Sequence, residues 1–478
     1  MSRTSSFYLI TDSHYVSKEN WVEGKPFTSR ERSDQIALKL SPEILDAFIE
    51  KVIADSAVDT VIFTGDNVNN GDMQSHYEFR ERLEKLTAAG KKVYVTTATH
   101  DYCGNGDDEN FFTSCRYTET GTEPIPSMRK KDLFDFYYDY GPKQAISVHE
   151  ESGSYSVSLG DGVTLIMIND NGNGRSHCGL FEDGVKWLTG EIDSAKSRGE
   201  LVLLAVHHPV ISPFDAFAHM VEFEMYGGYK ELWQLMCEKD VRVVFTGHTH
   251  IQNIRKYTDD NGRYFYDVST MALVNAAGKM RKVSVDADSG KCDITSVGMG
   301  EIDIADKGDE STYSYLYHLN FPGIVEKLIP LANENYDDFL ALADGLLPAD
   351  KLAKHRGAVR FVCRKAEKLK LSTIMKFGKT SKQFSGEKRK ELKNKSAVNA
   401  VYEILRCIYT GNAPYTPDTD EYVIMTGAAA RVDRIVDKFK IDKLKSIIPP
   451  GSSLEEMSRD FLYNNRTGDD DALTLNLK

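Results

Sequence analysis

Residues 241–250 have the sequence Val-Arg-Val-Val-Phe-Thr-Gly-His-Thr-His, and the interpretation of the whole chain starts from them. Their β-branched and aromatic residues predict a short buried strand that ends at Gly247. In extended backbone the side chains of residues i and i+2 point the same way, so His248 and His250 can converge on one site. Neutral imidazole is a common metal ligand. Taken alone, the pattern is equally typical of two surface histidines in a turn.

Four further strand ends carry the same kinds of side chain. In each case a short apolar run is followed directly by aspartate or histidine, in the stretches Thr11-Asp12-Ser13-His14, Thr64-Gly65-Asp66-Asn67, Ala98-Thr99-His100-Asp101 and His207-His208-Pro209. The first three strands alternate with predicted helices, which indicates parallel pairing with helical crossovers. Open α/β sheets carry their sites at the carboxyl ends of such strands. Core packing does not explain five such motifs, because burial of an unpaired aspartate is costly.

The residue types indicate which metals these strand ends would bind. Carboxylate and imidazole groups without cysteine favour Mn, Fe, Co or Zn over soft-metal chemistry. Two cations about 3.5–4 Å apart that share one carboxylate orient a phosphoryl oxygen, lower the pKa of a bound water and stabilise an in-line displacement. The pattern therefore predicts two divalent metal ions and hydrolysis of a phosphate ester by metal-activated hydroxide.

In this order the motifs resemble those of the calcineurin-like metallophosphoesterases, whose pattern is Asp-x-His, Gly-Asp, Gly-Asn-His-Asp/Glu, His and Gly-His-x-His. The resemblance covers about residues 7–297. It implies the family's α/β fold, a four-layer α/β/β/α sandwich with mixed sheets. The compact spacing and the His-His-Pro stretch are most similar to the cyclic nucleotide phosphodiesterase-like group of that family.

The resemblance also implies a role for each motif residue. The implied metal ligands are Asp12, His14 and His250 for the first metal, Asp66 as the bridge, and Thr99, His207 and His248 for the second. His207 is preferred to His208 because the family's ligand stands two residues before proline. His100 would donate to a phosphate oxygen or protonate the leaving group, with Asp101 beside it as a second catalytic residue.

One position departs from the family pattern. Thr99 stands where the family has asparagine as a ligand of the second metal, and Ala98 replaces glycine. A hydroxyl group is shorter than an amide and is a poorer ligand for a divalent cation. We therefore expect the second metal site to be weak, or to be completed by water or by another residue such as Asn105.

The composition indicates a globular protein, and the chain shows no sequence signal for a membrane or for secretion. The chain is 41% hydrophobic and 27% charged, as in soluble globular proteins. Its apolar runs are shorter than the roughly 18–20 residues of a membrane helix, and its N-terminus lacks the apolar core of a signal peptide. Seven scattered cysteines do not form a disulfide framework. We expect a cytoplasmic protein without a membrane partner.

The length of 478 residues suits two domains. We predict a catalytic domain at residues 1–302 and, after an acidic stretch, a smaller all-helical C-terminal domain at residues 312–478. Residues 351–395 carry 16 Lys or Arg and 3 Asp or Glu, whereas the rest of the chain has a net charge of −26. We expect this basic segment to dock the helical domain on the acidic catalytic surface; the alternative is a solvated helix face.

The predicted function is metal-dependent hydrolysis of a small phosphate ester, either a phosphodiester such as a cyclic nucleotide or a phosphomonoester. One alternative is a nuclease with the same metal centre. The net charge of −13 argues against a nucleic-acid partner, which needs a cationic surface. The other alternative is a degenerate, non-catalytic metal-binding module, of which Thr99 would be the first sign. The sequence does not determine the oligomeric state.

Overall fold

The structure, a computed structural model, describes residues 4–102, 114–160, 162–170, 178–440, 448, 451–463 and 468–478. The strands follow the predicted pattern of short apolar runs. In chain order they are β1 (Thr4–Ile10), β2 (Thr60–Thr64), β3 (Lys92–Thr96), β4 (Cys115–Tyr117), β5 (Thr122–Pro124), β6 (Ser147–His149), β7 (Ser154–Gly160), β8 (Val163–Met167), β9 (Leu201–Ala205), β10 (Val243–Thr246), β11 (Asn253–Thr258), β12 (Tyr264–Ser269), β13 (Lys279–Asp286), β14 (Lys291–Gly298) and β15 (Ala472–Asn476).

The strands form two large mixed sheets and one small hairpin. The first sheet has the order β15-β14-β13-β1-β2-β3, and the second has the order β11-β12-β10-β9-β8-β7-β6. The predicted parallel pairing is confirmed for β1, β2 and β3, which are neighbours in the first sheet. The two predicted hairpins, β7–β8 and β13–β14, pair antiparallel. Strands β4 and β5 form the separate two-stranded hairpin.

The helices fall into two groups, one around the sheets and one after residue 311. Among the residues that the structure describes, no helix is both long and apolar enough to cross a membrane. The helices are α1 (Lys25–Asp34), α2 (Ser41–Ala54), α3 (Met73–Ala88), α4 (Lys130–Phe136), α5 (Glu182–Ser197), α6 (Asp215–Met220), α7 (Tyr229–Glu238), α8 (Thr312–Leu319), α9 (Phe321–Glu334), α10 (Tyr336–Ala343), α11 (Ala349–Lys354), α12 (Arg356–Glu367), α13 (Leu371–Gly378), α14 (Gly386–Leu392), α15 (Ala397–Thr410), α16 (Asp420–Phe439) and α17 (Leu454–Leu462).

The buried apolar side chains show four layers. Phe7 and Val283 of the first sheet pack against Phe245 of the second sheet in a core between the sheets. The outer face of the first sheet is covered by α2 and α3, and the outer face of the second sheet by α5 and α7. The continuous apolar runs of the central strands therefore supply side chains to two buried faces at once, as expected for sheets covered on both sides. The predicted α/β/β/α sandwich is confirmed.

The C-terminal region is helical from α8 to α17, as predicted, but it does not end as a helix. Its last residues form β15, which pairs antiparallel with β14 at the edge of the first sheet. Leucines at every second position explain the pairing, since Leu475 and Leu477 are buried in the core between the sheets and Leu473 packs against it. The prediction of an all-helical C-terminal part is wrong for this strand, because a single alternating run of leucines is too short to indicate a strand without its partner.

The helical region packs on the sheets, but not through the basic segment. A buried ion pair joins Arg255 of β11 to Asp460 of α17 at 3.1 Å. In contrast, the ion pairs that residues 351–395 make with described residues all lie within the helical region; Lys388, for example, pairs with Asp420 at 2.8 Å. Arg356, Lys388 and Lys395 are the basic residues of this segment that form ion pairs with described residues, and none of these pairs reaches the acidic catalytic surface, in contrast to the predicted docking.

Asp470 connects the helical region to the second sheet, and we predict that its removal destabilises the fold. The carboxylate is 1% exposed and accepts hydrogen bonds from the backbone N–H groups of Ile254 (2.9 Å) and Asn412 (2.8 Å). Asp470→Ala removes both hydrogen bonds, and because Ile254 is completely buried the loss should lower the free energy of unfolding by about 1–3 kcal/mol. Urea denaturation followed by circular dichroism measures this change. Asp260→Ala, at an exposed aspartate, is the control, and equal stabilities of the two variants would contradict the assigned role.

Candidate metal centre

The carboxyl ends of strands from both sheets meet at one place. The loop after β1 is held to the loop after β2, because the N–H of Asp12 donates to the carbonyl of Gly65 at 3.1 Å. In the second sheet the N–H of Gly247 donates to the carbonyl of His207 at 2.9 Å. The five predicted motifs are thereby brought to one site.

The carboxylate of Asp12 lies at the centre of this site and is completely buried. Its Oδ2 accepts hydrogen bonds from Thr11 Oγ1 (2.7 Å) and from the N–H of His248 (3.0 Å). Its Oδ1 has no hydrogen-bond partner among the described residues. Three imidazole Nε2 atoms surround Oδ1, those of His250 at 3.4 Å, His14 at 3.7 Å and His207 at 3.8 Å. These distances are too long for hydrogen bonds but are suitable for ligands that share a cation.

The Nε2 atom of His207 is directed at Asp66. The Nδ1 of His207 lies 2.9 Å from the carbonyl oxygen of Thr64, which can only accept, so Nδ1 carries a proton. The Nε2 atom lies 3.0 Å from Asp66 Oδ2. Burial lowers the pKa of His207, but the carboxylates of Asp66 and Asp12 outweigh it and raise that pKa to about 10. Between the ring and the carboxylate there is thus a place for one positive charge, which a proton on Nε2 can supply and which a bound divalent cation would supply in its stead.

The same reasoning applies to His14 and His250. Asn69 donates to Asp34 through its Nδ2, so its Oδ1 accepts from His14 Nδ1 at 3.3 Å. The Nε2 of His14 then carries a lone pair and lies 3.0 Å from the Nε2 of His250. Two imidazole nitrogens at this distance require a proton or a metal ion between them, which fits the metal ligands predicted from the sequence.

The ligand atoms form three overlapping sets, each with atoms within 4.8 Å of one another. The sets are Asp12, His14 and His250; His14, Asp66 and His100; and Asp66, His207 and His248. Asp66 belongs to two of these sets, the position that the bridging role requires. Buried carboxylates and imidazoles in this arrangement fit two divalent cations of the borderline type.

His100 and Thr99 follow β3 and line the cavity beside the ligands. The backbone N–H of His100 donates to Asp66 Oδ1 at 2.9 Å, and its ring lies edge-on to that of His14. Burial holds the pKa of His100 well below its usual value. Thr99 is 8% exposed at this cavity, at the predicted position, whereas Asn105, the alternative ligand, lies outside the described residues.

Asp101 does not line the cavity, in contrast to its predicted catalytic role. Its buried carboxylate accepts hydrogen bonds from the backbone N–H groups of Asn67, Val68 and Ala98 at 2.8–3.0 Å. Burial and the nearby charge of Asp66 raise the pKa of Asp101 to about 7. Asp101 thus holds the loops after β2 and β3 together and is a positioning residue. The side chain of Asp101 points away from the cavity that His100 lines because the backbone turns at these residues.

Two acidic residues that the sequence motifs did not indicate hold histidines of the site. Glu224 Oε2 lies 2.6 Å from His248 Nε2, in the short helical turn Glu222–Glu224. Asp170 accepts a hydrogen bond from His208 Nδ1 at 2.9 Å, which turns His208 toward the cavity lining. Carboxylates that accept from ligand imidazoles fix the ring orientation and raise its basicity. Neither residue belongs to a short motif, so only tertiary structure reveals them.

The cavity at this centre has a volume of about 880 Å³. Apart from histidines, Arg30 of α1 is the cationic side chain among its described lining residues. Its Nε lies 2.6 Å from Asp34 and its Nη2 donates to Asn70 at 2.8 Å, so the guanidinium is held in a fixed position. A cavity of this size, lined by both polar and apolar side chains, is typical of small-molecule sites.

Parts of this chain are similar to known proteins. The chain is 22% identical over 241 residues to a probable cyclic nucleotide phosphodiesterase of Rhodococcus erythropolis, which covers 50% of this chain and 63% of the relative. It is 24% identical over 229 residues to the sphingomyelin phosphodiesterase of Bos taurus, covering 45% and 32% respectively. A dimetal phosphatase from Danio rerio superposes with a TM-score of 0.41 at 11% identity, covering 63% of this chain and 98% of that protein.

The chain thus spans between a third and two-thirds of the length of these curated relatives. The family model described as calcineurin-like phosphoesterase matches residues 5–252. That range contains all seven of the predicted metal ligands, from β1 to the segment after β10. The resemblance drawn from the motifs is confirmed, and the chain belongs to the calcineurin-like phosphoesterase family.

Proposed function

We propose that the protein is a metal-dependent hydrolase of small phosphate esters, and within that class a phosphodiesterase. The observation that carries the proposal is the buried Asp12 Oδ1, which has no hydrogen-bond partner among the described residues and faces three imidazole nitrogens. The names of the curated relatives, which include cyclic nucleotide and sphingomyelin phosphodiesterases, support a diester substrate.

In the proposed site Asp12, His14 and His250 hold one cation, His207 and His248 hold a second, and Asp66 lies between them. When bound, two divalent cations polarise phosphoryl oxygens and lower the pKa of an attacking water. Manganese, iron, zinc and cobalt all suit this set of ligands.

The chain's own residues position and protonate the substrate. His100 lies next to Asp66 and lines the cavity, where its imidazole can donate a hydrogen bond to a phosphate oxygen or a proton to the leaving group. Arg30 lines the same cavity as an ion pair with Asp34, and its guanidinium can donate hydrogen bonds to a phosphate oxygen. Glu224 holds His248 in the orientation that a ligand requires.

One assay distinguishes the proposed function from two alternatives, a nuclease and a non-catalytic metal-binding module. A nuclease needs a row of cations for successive phosphates, whereas the described cavity lining offers Arg30 besides its histidines. A non-catalytic module would bind metal without turnover. The purified protein with added manganese should hydrolyse cyclic nucleotides or chromogenic phosphodiesters faster than phosphomonoesters and oligonucleotides. Equal or greater activity on oligonucleotides favours the nuclease, and metal binding without any turnover favours the module.

Asp66→Asn should abolish turnover, because a bridging carboxylate becomes a neutral amide between two cations. The variant should also bind less metal, measured by plasma mass spectrometry after dialysis, while its circular dichroism stays unchanged. Asp193→Asn, at an exposed aspartate, is the matched control and should keep both rate and metal content. Near-normal rate and metal content in Asp66→Asn would show that Asp66 is not the bridge.

His100→Ala should lower kcat by about 10²–10⁴-fold, the usual effect of removing a general acid–base group. Its metal content should stay close to that of the wild type, because the proposal assigns no metal to this ring. His355→Ala, at an exposed histidine, serves as control. The structure places His100 within ligand distance of His14 and Asp66, so loss of a full metal equivalent would make it a ligand instead.

Thr99→Asn should tighten the second metal site, because an amide oxygen reaches further than a hydroxyl and is a better ligand. The manganese concentration for half-maximal activity should fall by about 10-fold, the scale on which changes around a metal alter its affinity. Thr87→Asn, at an exposed threonine of α3, is the control. An unchanged or higher midpoint together with a lower melting temperature would mean that Thr99 packs under the loop and does not face the metal.

A further inference from the structure

The cavity has two chemically different sides. One side carries the metal ligands and Arg30, and the other is apolar. The apolar side chains come from three separate parts of the chain and include Phe214, Phe217, Leu405, Ile408, Tyr409 and Phe461. We call these six residues the apolar wall. Phe214 precedes α6, Phe461 lies in α17, and the remaining wall residues lie in α6 and α15.

The apolar wall is preformed in the structure. The rings of Phe214 and Phe461 are in edge-to-face contact, with centroids 5.6 Å apart. Behind them a hydrophobic cluster joins Ile251 of the catalytic part to Ile404 and Leu462 of the helical region. The buried ion pair between Arg255 and Asp460 connects the same elements. The wall is therefore built on a fixed support, and it exists only where the helical region meets the catalytic part.

Phe214, Phe461 and Leu405 line the cavity and remain partly exposed, although Phe214 and Phe461 also pack against a buried cluster. Contiguous apolar surface in a concave site is unfavourable in water and marks a place where an apolar group binds. The metal ligands and Arg30 line the same cavity, and a phosphate would bind to them. A ligand that matches both sides has a phosphate at one end and an apolar group at the other.

We propose that the apolar wall binds the organic ester group of the substrate, and that this group is a large apolar one, either an aromatic ring or an alkyl chain. The inference rests on the proposed phosphodiesterase function and specifies its substrate class. The C-terminal region then contributes directly to substrate selection through Phe461 of α17 and Leu405 of α15. A substrate with charged groups along its length does not fit the wall.

The test uses p-nitrophenyl phosphodiesters in which the second ester group is methyl, phenyl or octyl. The departing p-nitrophenolate is the same in all three, so differences in kcat/KM report on the second group. With manganese, kcat/KM should rise by about 10-fold or more from the methyl ester to the phenyl or octyl ester, the usual scale for apolar groups in a matching pocket. A higher value for phenyl identifies an aromatic group, and a higher value for octyl identifies an alkyl chain.

Phe461→Ala and Leu405→Ala should reduce the ratio of kcat/KM between the large ester and the methyl ester toward one. Phe461→Leu, which keeps an apolar side chain, should restore most of that ratio. The control is Phe439→Ala in α16, because Phe439 is 65% exposed and lies outside the cavity lining. A ratio that is unchanged in both alanine variants would overturn the proposal.

A binding measurement provides a second readout that does not depend on turnover. Calorimetric titration of the wild-type protein with methyl-, phenyl- and octylphosphonate should give a Kd that is at least about 10-fold lower for a large group than for methyl. Equal affinities overturn the proposal. If the three esters are hydrolysed with equal kcat/KM, the proposed role of the apolar wall is refuted while the phosphodiesterase function stands. If none of the three esters is hydrolysed but the phosphonates still bind selectively, the enzymatic function is refuted and the apolar binding site stands.

Discussion

The hydrogen bond from the backbone N–H of His248 to the Asp12 carboxylate, 3.0 Å long, joins the two sheets at the metal centre. Asp12 follows β1 of the first sheet, and His248 follows β10 of the second. The approach is close because residue 247 is glycine: a Cβ there would lie 2.1 Å from Thr11 Oγ1 and 2.5 Å from Asp12 Oδ2. Once Oδ2 is fixed in this way, Oδ1 faces the three imidazoles. The other predicted ligands are positioned by the strands of the two sheets that they follow.

The backbone is strained at several of the predicted ligands. Asp12, His14, Asp66, His248 and His250 all have φ between 41° and 66°, in the left-handed region that side chains other than glycine rarely adopt. Each such residue costs about 1–3 kcal/mol and persists only where the surrounding structure dictates it. Here the preceding strands are buried in the core and fix each loop at its start. Five of the seven predicted ligands have this strained backbone. We infer that the conformation of these loops serves binding and lowers the stability of the fold.

The convergence of the predicted metal ligands on one site could be predicted from sequence, because each follows a buried strand and the carboxyl ends of these strands meet. The layers of the sandwich could be predicted for the same reason. Glu224 and Asp170 could not, because they meet His248 and His208 only through tertiary structure. Asp101 was misassigned because neighbours in sequence point in different directions where the backbone turns after β3. Strand β15 was missed because it is separated from its partner β14 by the whole helical region.

The same packing connects the metal centre to the C-terminal region. Ile251 follows the ligand His250 and is buried against Ile404 and Ile408 of α15. The next N–H, that of Gln252, donates to the carbonyl of Tyr409 at 3.2 Å. Helix α15 therefore supports the ligand segment from behind and presents Leu405, Ile408 and Tyr409 to the cavity. Besides this apolar packing, the buried pair Arg255–Asp460 and the Asp470 carboxylate, which accepts from the N–H of Ile254, hold the region against the second sheet. Because one helix both supports a metal ligand and forms the apolar side of the cavity, the position of the phosphate and the shape of the space for its ester group are determined together.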